Sequence, residues 1–241
     1  MPRPPFGRNG RRHLRFRSDL PLTPLTRQAS SQHSLYLVTP LLSAPDADAF
    51  ARIFAEALEA APTACALLRL APDSLTQAEA VAAPFLRVAK DTKCALLIEG
   101  DARLAARLGA DGVHVSGAAV DLEAAIDRLK PERIVGAGFL RTRDEAMTAG
   151  EMGADYVMFG EPHEGARALG LATLTERVAW WAEIFETPCV AYADTIEAAG
   201  ALKGAGADFV ALGDAIWGSA SPAAAAREVQ ALISGLDVTI P

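Results

Sequence analysis

The chain predicts an α/β fold of one kind, a (β/α)8 TIM barrel, and three observations carry that expectation. Apolar runs of strand length alternate with helix-length segments of 3.6-residue periodicity, and the strand-like runs number eight. A Gly-Ala-Asp tripeptide also returns at 109–111, 153–155 and 206–208, each time after a helix-like segment and before an apolar run. Alternation of this kind implies parallel strands joined by right-handed crossovers, and near-continuous apolar strands fit a sheet covered on both faces. An open doubly wound sheet is the competing arrangement, but it usually carries a Gly-rich phosphate turn after its first strand. The stretch "LVTPLLSAPD" at 37–46 has none.

In chain order, the first strand is read at 35–39 (LYLVT) and the first helix at 46–60, opened by a capping Asp46. A second strand at 65–70 (CALLRL) leads to a helical pattern at 74–90, and a third strand at 94–99 (CALLIE) leads to one at 101–109. Strand four (112–115, GVHV) precedes a helix at 121–130, and strand five (133–138, RIVGAG) precedes one at 142–153, opened by Thr142. The last three units pair strands at 156–160, 189–192 and 209–213 with helices at 173–185, 195–206 and 221–233. In the repeated tripeptide, Gly109, Gly153 and Gly206 are placed to end helices in the left-handed conformation, and Asp111, Asp155 and Asp208 enter the next strand. That puts the aspartates at the N-terminal face of the barrel, away from its chemistry, and gives them a structural reading.

With 241 residues, 51 % of them apolar, the chain suits one large domain, expected over 35–235 and followed by a short tail at 236–241. Residues 1–34 hold seven arginines against a single acid, Asp19, and lack the apolar core of a secretory signal. A transit peptide or a nucleic-acid tether would share this composition; the absence of hydrophobic periodicity favours a disordered extension. The acidic body has no nucleic-acid footprint, and no run approaches the roughly 18 apolar residues of a membrane span. Cys65, Cys94 and Cys189 each lie in an apolar run and none forms a CxxC pair, which reads as small buried hydrophobes in a reducing, cytoplasmic setting.

A barrel directs attention to the last residues of each strand and the loops that follow. These supply Thr39, Arg69, Glu99 with Asp101, His114 with Ser116, Arg141 and Arg143, Glu161 with His163 and Glu164, Tyr192 with Asp194, and Asp214 with Trp217. Arg69 ends an apolar strand as a fork suited to a phosphate or carboxylate, or to an ion pair with a loop acid. Glu99 and Asp101 are close enough in sequence to hold Mg²⁺ through carboxylate oxygens, although Asp101 is equally placed to cap the following helix. His114 is either a core histidine or a catalytic one, depending on which way it faces; His163 lies in a Gly-rich charged loop where a proton-transfer group could move over a ligand. Asp194 and Asp214 weaken the anion-binding character that the loops after strands seven and eight usually have. Trp180 and Trp181 are read as a core-facing pair, with homo-oligomer contact through their helix as the alternative.

The segments "LYLVTP" (35–40), "LLIEGDARLAARLGADGVHVSG" (96–117), "IVGAGFLRTRDEAMTAGEMGADYVMFGEP" (134–162) and "PCVAYADTIEAAGALKGAGADFVALGDAI" (188–216) resemble the thiamine-phosphate synthase family and its relatives, the TenI thiazole tautomerases. The resemblance implies a barrel that couples a pyrimidine methyl pyrophosphate to a thiazole phosphate with help from Mg²⁺, or one that isomerises a thiazole phosphate. It implies an anion site at Arg69, which matches the family's Gln-Leu-Arg-x-Lys, and a substrate mouth including Thr39, Tyr192 and Asp214. The match is partial: Leu67 and Ala71 stand in place of the glutamine and the lysine, and the metal-side Asn-Asp falls on Glu99 and Gly100. Ala119 takes the place of a second metal-side aspartate, the Thr-x-Thr-Lys segment is missing after strand six, and Ala193, Asp194 and Asp214 occupy phosphate-loop positions. Cations and metal ligands are thus lost together, and the expectation is a synthase-like barrel with weak or absent coupling activity. A thiazole isomerase using His163 and a non-catalytic binding barrel are the alternatives.

Overall fold

The computed structural model describes residues 34–117, 119–162 and 169–235. Eight parallel strands pair in sequence order and close on themselves: β1 (Leu35–Leu42), β2 (Thr63–Leu70), β3 (Ala95–Glu99), β4 (Gly112–Ser116), β5 (Ile134–Gly138), β6 (Tyr156–Phe159), β7 (Cys189–Tyr192) and β8 (Phe209–Leu212). The closing register sets Leu35 beside Val210 and Leu37 beside Leu212. Helices α1 (Ala47–Ala60), α2 (Ala78–Thr92), α3 (Ala102–Leu108), α4 (Ala119–Leu129), α5 (Arg143–Met152), α6 (Leu171–Ile184) and α7 (Ile196–Gly204) each follow one strand. After β8 come a short α8 (Asp214–Trp217) and then α9 (Pro222–Ser234). The (β/α)8 barrel expected from the alternation is therefore the observed fold.

Two apolar clusters reflect the alternation of strand side chains. One lies between strands and helices and includes Phe54, Phe85, Leu96, Val157 and Trp181. The other fills the barrel itself with Tyr36, Leu67, Leu97, Tyr156, Met158 and Phe209. Trp181 is fully buried and donates its indole N–H to Thr187 O at 2.7 Å, while Trp180 packs against Trp181 and Phe185 and carries Arg143 over its ring.

The Gly-Ala-Asp repeat is a hydrogen-bond clasp at the bottom of the barrel. Asp111 accepts from Leu96 N (2.8 Å) and returns its own N–H to Leu96 O (2.9 Å). Asp155 does the same with Val135 (2.8 Å each way), and Asp208 with Cys189 (2.9 and 3.1 Å). Each carboxylate thus satisfies an amide of the first or second residue of the preceding strand. Gly109 and Gly153 end α3 and α5 with φ of +72° and +99°; α7 stops earlier, at Gly204, and Gly206 takes φ +102°. A side chain would strain all three turns.

The pattern expected at 74–90 divides into a 3-10 turn (Pro72–Gln77) and α2, because Pro72 sits at the start of the turn and fixes its φ. All three cysteines are free and buried, and burial pushes each thiol well above its ordinary pKa. No described helix is long and apolar enough to cross a membrane. Of the arm read at 1–34, residues 1–33 lie outside the described residues, as do the tail at 236–241 and His163 with the rest of 163–168; Ser34 is buried and its carbonyl accepts from Val210 N at 2.9 Å.

Candidate active site

At the carboxyl ends of β1, β2 and β3 the mouth is anchored by a buried hydroxyl. Thr39 is 1 % exposed; its Oγ1 accepts from Arg69 N at 3.0 Å and donates to Pro40 O at 2.9 Å. This sets the backbone from which the Arg69 side chain rises. Arg69 Nε then meets Glu99 Oε2 at 3.1 Å, both side chains being about one-quarter to one-third exposed (26 % and 30 %). Of the two sequence readings of Arg69, the ion pair with a loop acid is the one observed. Its Nε is committed to a strand-end acid, and its Nη groups have no protein partner among the described residues.

Asp101 is the N-cap of α3, its Oδ1 accepting from Arg103 N (2.7 Å) and Leu104 N (3.2 Å). Glu99 is turned toward Arg69, so the two acids do not converge. No group of three or more His, Cys, Asp or Glu side chains is gathered as a metal cluster among the described residues. The donors present do not fit a resident Mg²⁺ held by Glu99 and Asp101.

His114 faces into the barrel and is 1 % exposed. Its Nδ1 lies 2.7 Å from Tyr156 Oη, which is 2.9 Å from Tyr36 Oη. On the mouth side, His114 Nε2 lies 3.1 Å from Glu161 Oε2, and Ser116 Oγ donates to Glu161 Oε1 at 3.1 Å. Space for this chain comes from β5, whose inward positions after Ile134 are glycine at both 136 and 138. A Cβ at Gly136 would stand 2.0 Å from the Tyr156 ring, and one at Gly138 would stand 2.2 Å from His114 Nε2 and 2.4 Å from Glu161. Burial, reinforced in Tyr36 by the neighbouring phenol, pushes both tyrosines far above their ordinary pKa, so both remain proton donors.

The far wall is Tyr192 and the start of α8. Burial and then the Asp214 carboxylate push the Tyr192 phenol up, and its hydroxyl sits against Gly213, where a Cβ would be 2.7 Å away. Asp214 and Asp194 are exposed. Trp217 packs against Phe50 and Phe54 and donates to Val38 O at 2.6 Å. Arg141 and Arg143 lie over the rings of Phe139 and Trp180, each 4.6 Å from the ring centre.

Of the residues singled out in the sequence, the structure brings Thr39, Arg69 and Glu99 into one contact chain and places Tyr192 beside Asp214. His114 joins a separate chain with Glu161. Glu161 stood in the rim but carried no role, and Tyr36 and Tyr156 were not singled out at all. The usable signals were two hydroxyl-bearing rings within apolar strands and the Gly-x-Gly of β5, which suits a strand that must yield space to a neighbour.

A family model described as thiamine monophosphate synthase matches residues 35–216. The thiamine-phosphate synthase of Rhodospirillum centenum is 40 % identical over 207 residues, covering 83 % of this chain and 98 % of the relative. That of Hyphomonas neptunium is 35 % identical over 218 residues, covering 88 % and 98 %. Among solved structures, thiamine phosphate pyrophosphorylase from Pyrococcus furiosus superposes with a TM-score of 0.70 at 23 % identity, covering 86 % of this chain and 98 % of that one. A 3-hexulose-6-phosphate synthase follows at 0.66 and 22 %, a likeness of fold alone. The match of the family model across the whole barrel, with relatives of this identity over nearly their full length, makes the chain a member of the thiamine monophosphate synthase family.

Proposed function

We propose that the chain performs the reaction for which its relatives are named, coupling a pyrimidine methyl pyrophosphate to a thiazole phosphate, at a mouth whose pyrophosphate side is weakened. The observation that carries this is Arg69, held at the end of β2 through Thr39 and Glu99, with no protein partner on its Nη groups among the described residues. A guanidinium so positioned suits a phosphate bidentately, and Thr39 and Glu99 act as its positioning groups. Tyr192, kept protonated, offers a neutral donor on the opposite wall. The small phosphorylated heterocycle is thereby oriented without a catalytic acid.

The weakening follows from charge. Ala71 and Ala119 stand where a lysine and an acid are expected, while Asp194 and Asp214 add negative charge near the phosphate loops. Losing one preorganised group of this kind typically costs about 10²–10³ in rate. Mg²⁺, where the reaction needs it, is read as accompanying the pyrophosphate rather than as held by the protein alone.

The test is titration calorimetry with thiazole phosphate, and with pyrimidine pyrophosphate in the presence and absence of Mg²⁺, followed by a coupling assay. Thiazole phosphate is expected to bind without metal, and Arg69→Ala to weaken it about tenfold or more, the scale of a charged hydrogen bond. Coupling is expected to be detectable and at least about a hundredfold slower than in a synthase that keeps the lysine and metal-side acids. Thiazole phosphate binding with no coupling at all would replace this reading with a tautomerase or a non-catalytic binding barrel.

A further inference from the structure

Among the described residues, Glu161 is a charged group of the mouth that the anion site leaves unused. Glu161 follows β6, and its carboxylate occupies the space over Gly138 inside the rim, with a side chain 12 % exposed. Its oxygens are held by His114 Nε2 and Ser116 Oγ, each at 3.1 Å, and no Lys or Arg pairs with it among the described residues.

The hydrogen-bond chain behind it permits a proton assignment that satisfies every link. Tyr36 Oη–H donates to Tyr156 Oη, Tyr156 Oη–H donates to His114 Nδ1, and His114 Nε2–H donates to Glu161 Oε2. In this arrangement the imidazole is neutral and presents an N–H outward; the orienting bond at the other nitrogen selects that tautomer. In it the carboxylate accepts from both donors. An anion in a concave, largely desolvated rim is costly unless something positive arrives to face it.

We infer that Glu161 is the ring-reading carboxylate of this mouth, accepting an amino N–H or protonated ring N–H from a planar nitrogen heterocycle, with His114 and Ser116 as its positioning residues. The inference rests on the reading of the mouth as a pyrimidine-coupling site. There it adds a catalytic consequence: a ring that gains positive charge as its pyrophosphate departs is stabilised by a fixed anion beside it.

The experiment titrates 4-aminopyrimidine and unsubstituted pyrimidine separately into the wild-type chain and into Glu161→Gln, by ligand-detected NMR. Gln keeps an oxygen for His114 Nε2–H, so the variant is expected to retain the wild-type melting temperature within a few degrees. Ser116→Ala, which removes one of the two donors, serves as the second variant. The wild type is expected to prefer the amino compound about tenfold or more, the scale of a hydrogen bond to a charged group. Glu161→Gln is expected to erase that preference, and Ser116→Ala to reduce it. Equal binding of both compounds, a preference that survives Glu161→Gln, or binding of neither compound would each overturn the inference. Because this readout needs no turnover, an inactive coupling assay with the amino preference intact defeats the synthase reading alone.

Discussion

Single side chains at the two ends of this barrel do opposite work. At the bottom, Asp111, Asp155 and Asp208 clasp the starts of neighbouring strands. Asp155 is further paired with Lys130. Removing its carboxylate leaves the Val135 amide without an acceptor, so Asp155→Ala is expected to cost about 1–3 kcal/mol in urea unfolding. Asp155→Asn, which retains an acceptor oxygen, is expected to lose less. These aspartates were legible because Gly-Ala-Asp recurs three times and the barrel fixes which end it occupies. At the top, the sequence showed Arg69 but could not show that its Nε is the group tied to Glu99. Asp101 had two readings, and its bonds to Arg103 N and Leu104 N make it the cap of α3.

At the scale of elements, β5 shows how one strand's lack of side chains shapes its neighbours. Gly136 and Gly138 leave the volume that the Tyr156 ring and the His114–Glu161 pair occupy, so even a methyl group collides. Gly136→Ala is expected to destabilise the fold by at least about 1–3 kcal/mol, the usual cost of overpacking, measured by chemical unfolding. Gly138→Ala collides nearer the rim, where Glu161 has some room to move. It is expected to cost less stability and to abolish the amino-compound preference, which the same NMR titration reads. Strand positions were legible to within a residue or two, since short apolar runs bounded by polar turns have few alternatives, except that β1 runs three residues past the end read for it, to Leu42. The four-residue helix Asp214–Trp217 was not, because one turn is too short for a 3.6-residue period to register.

For the whole molecule, burial inside the closed sheet and beneath its helices holds ionisable groups in protonated form. Tyr36, Tyr156, Cys65, Cys94 and Cys189 all have folded pKa values raised by burial. The unfolded chain releases these protons first, thiols near pH 8.5 and phenols near 10, so it binds fewer protons than the native state above those values. Stability is therefore expected to be unaffected by these groups below about pH 8 and to fall as pH rises beyond it. Each group contributes up to about 1.4 kcal/mol per pH unit once past its unfolded pKa. Urea midpoints measured from pH 7 to 11 check this; a flat profile would contradict the burial. By itself the sequence determined the strand–helix alternation, the parallel barrel, the structural aspartates and the family, because each depends on local period or on motifs contiguous in the chain. Only the tertiary structure decided that His114 faces inward, that Arg69 is tethered to Glu99, and that Glu161 completes a chain from Tyr36 to the rim. Those relations join residues 30 to 120 positions apart, and strand closure, which no local pattern encodes, sets their distances.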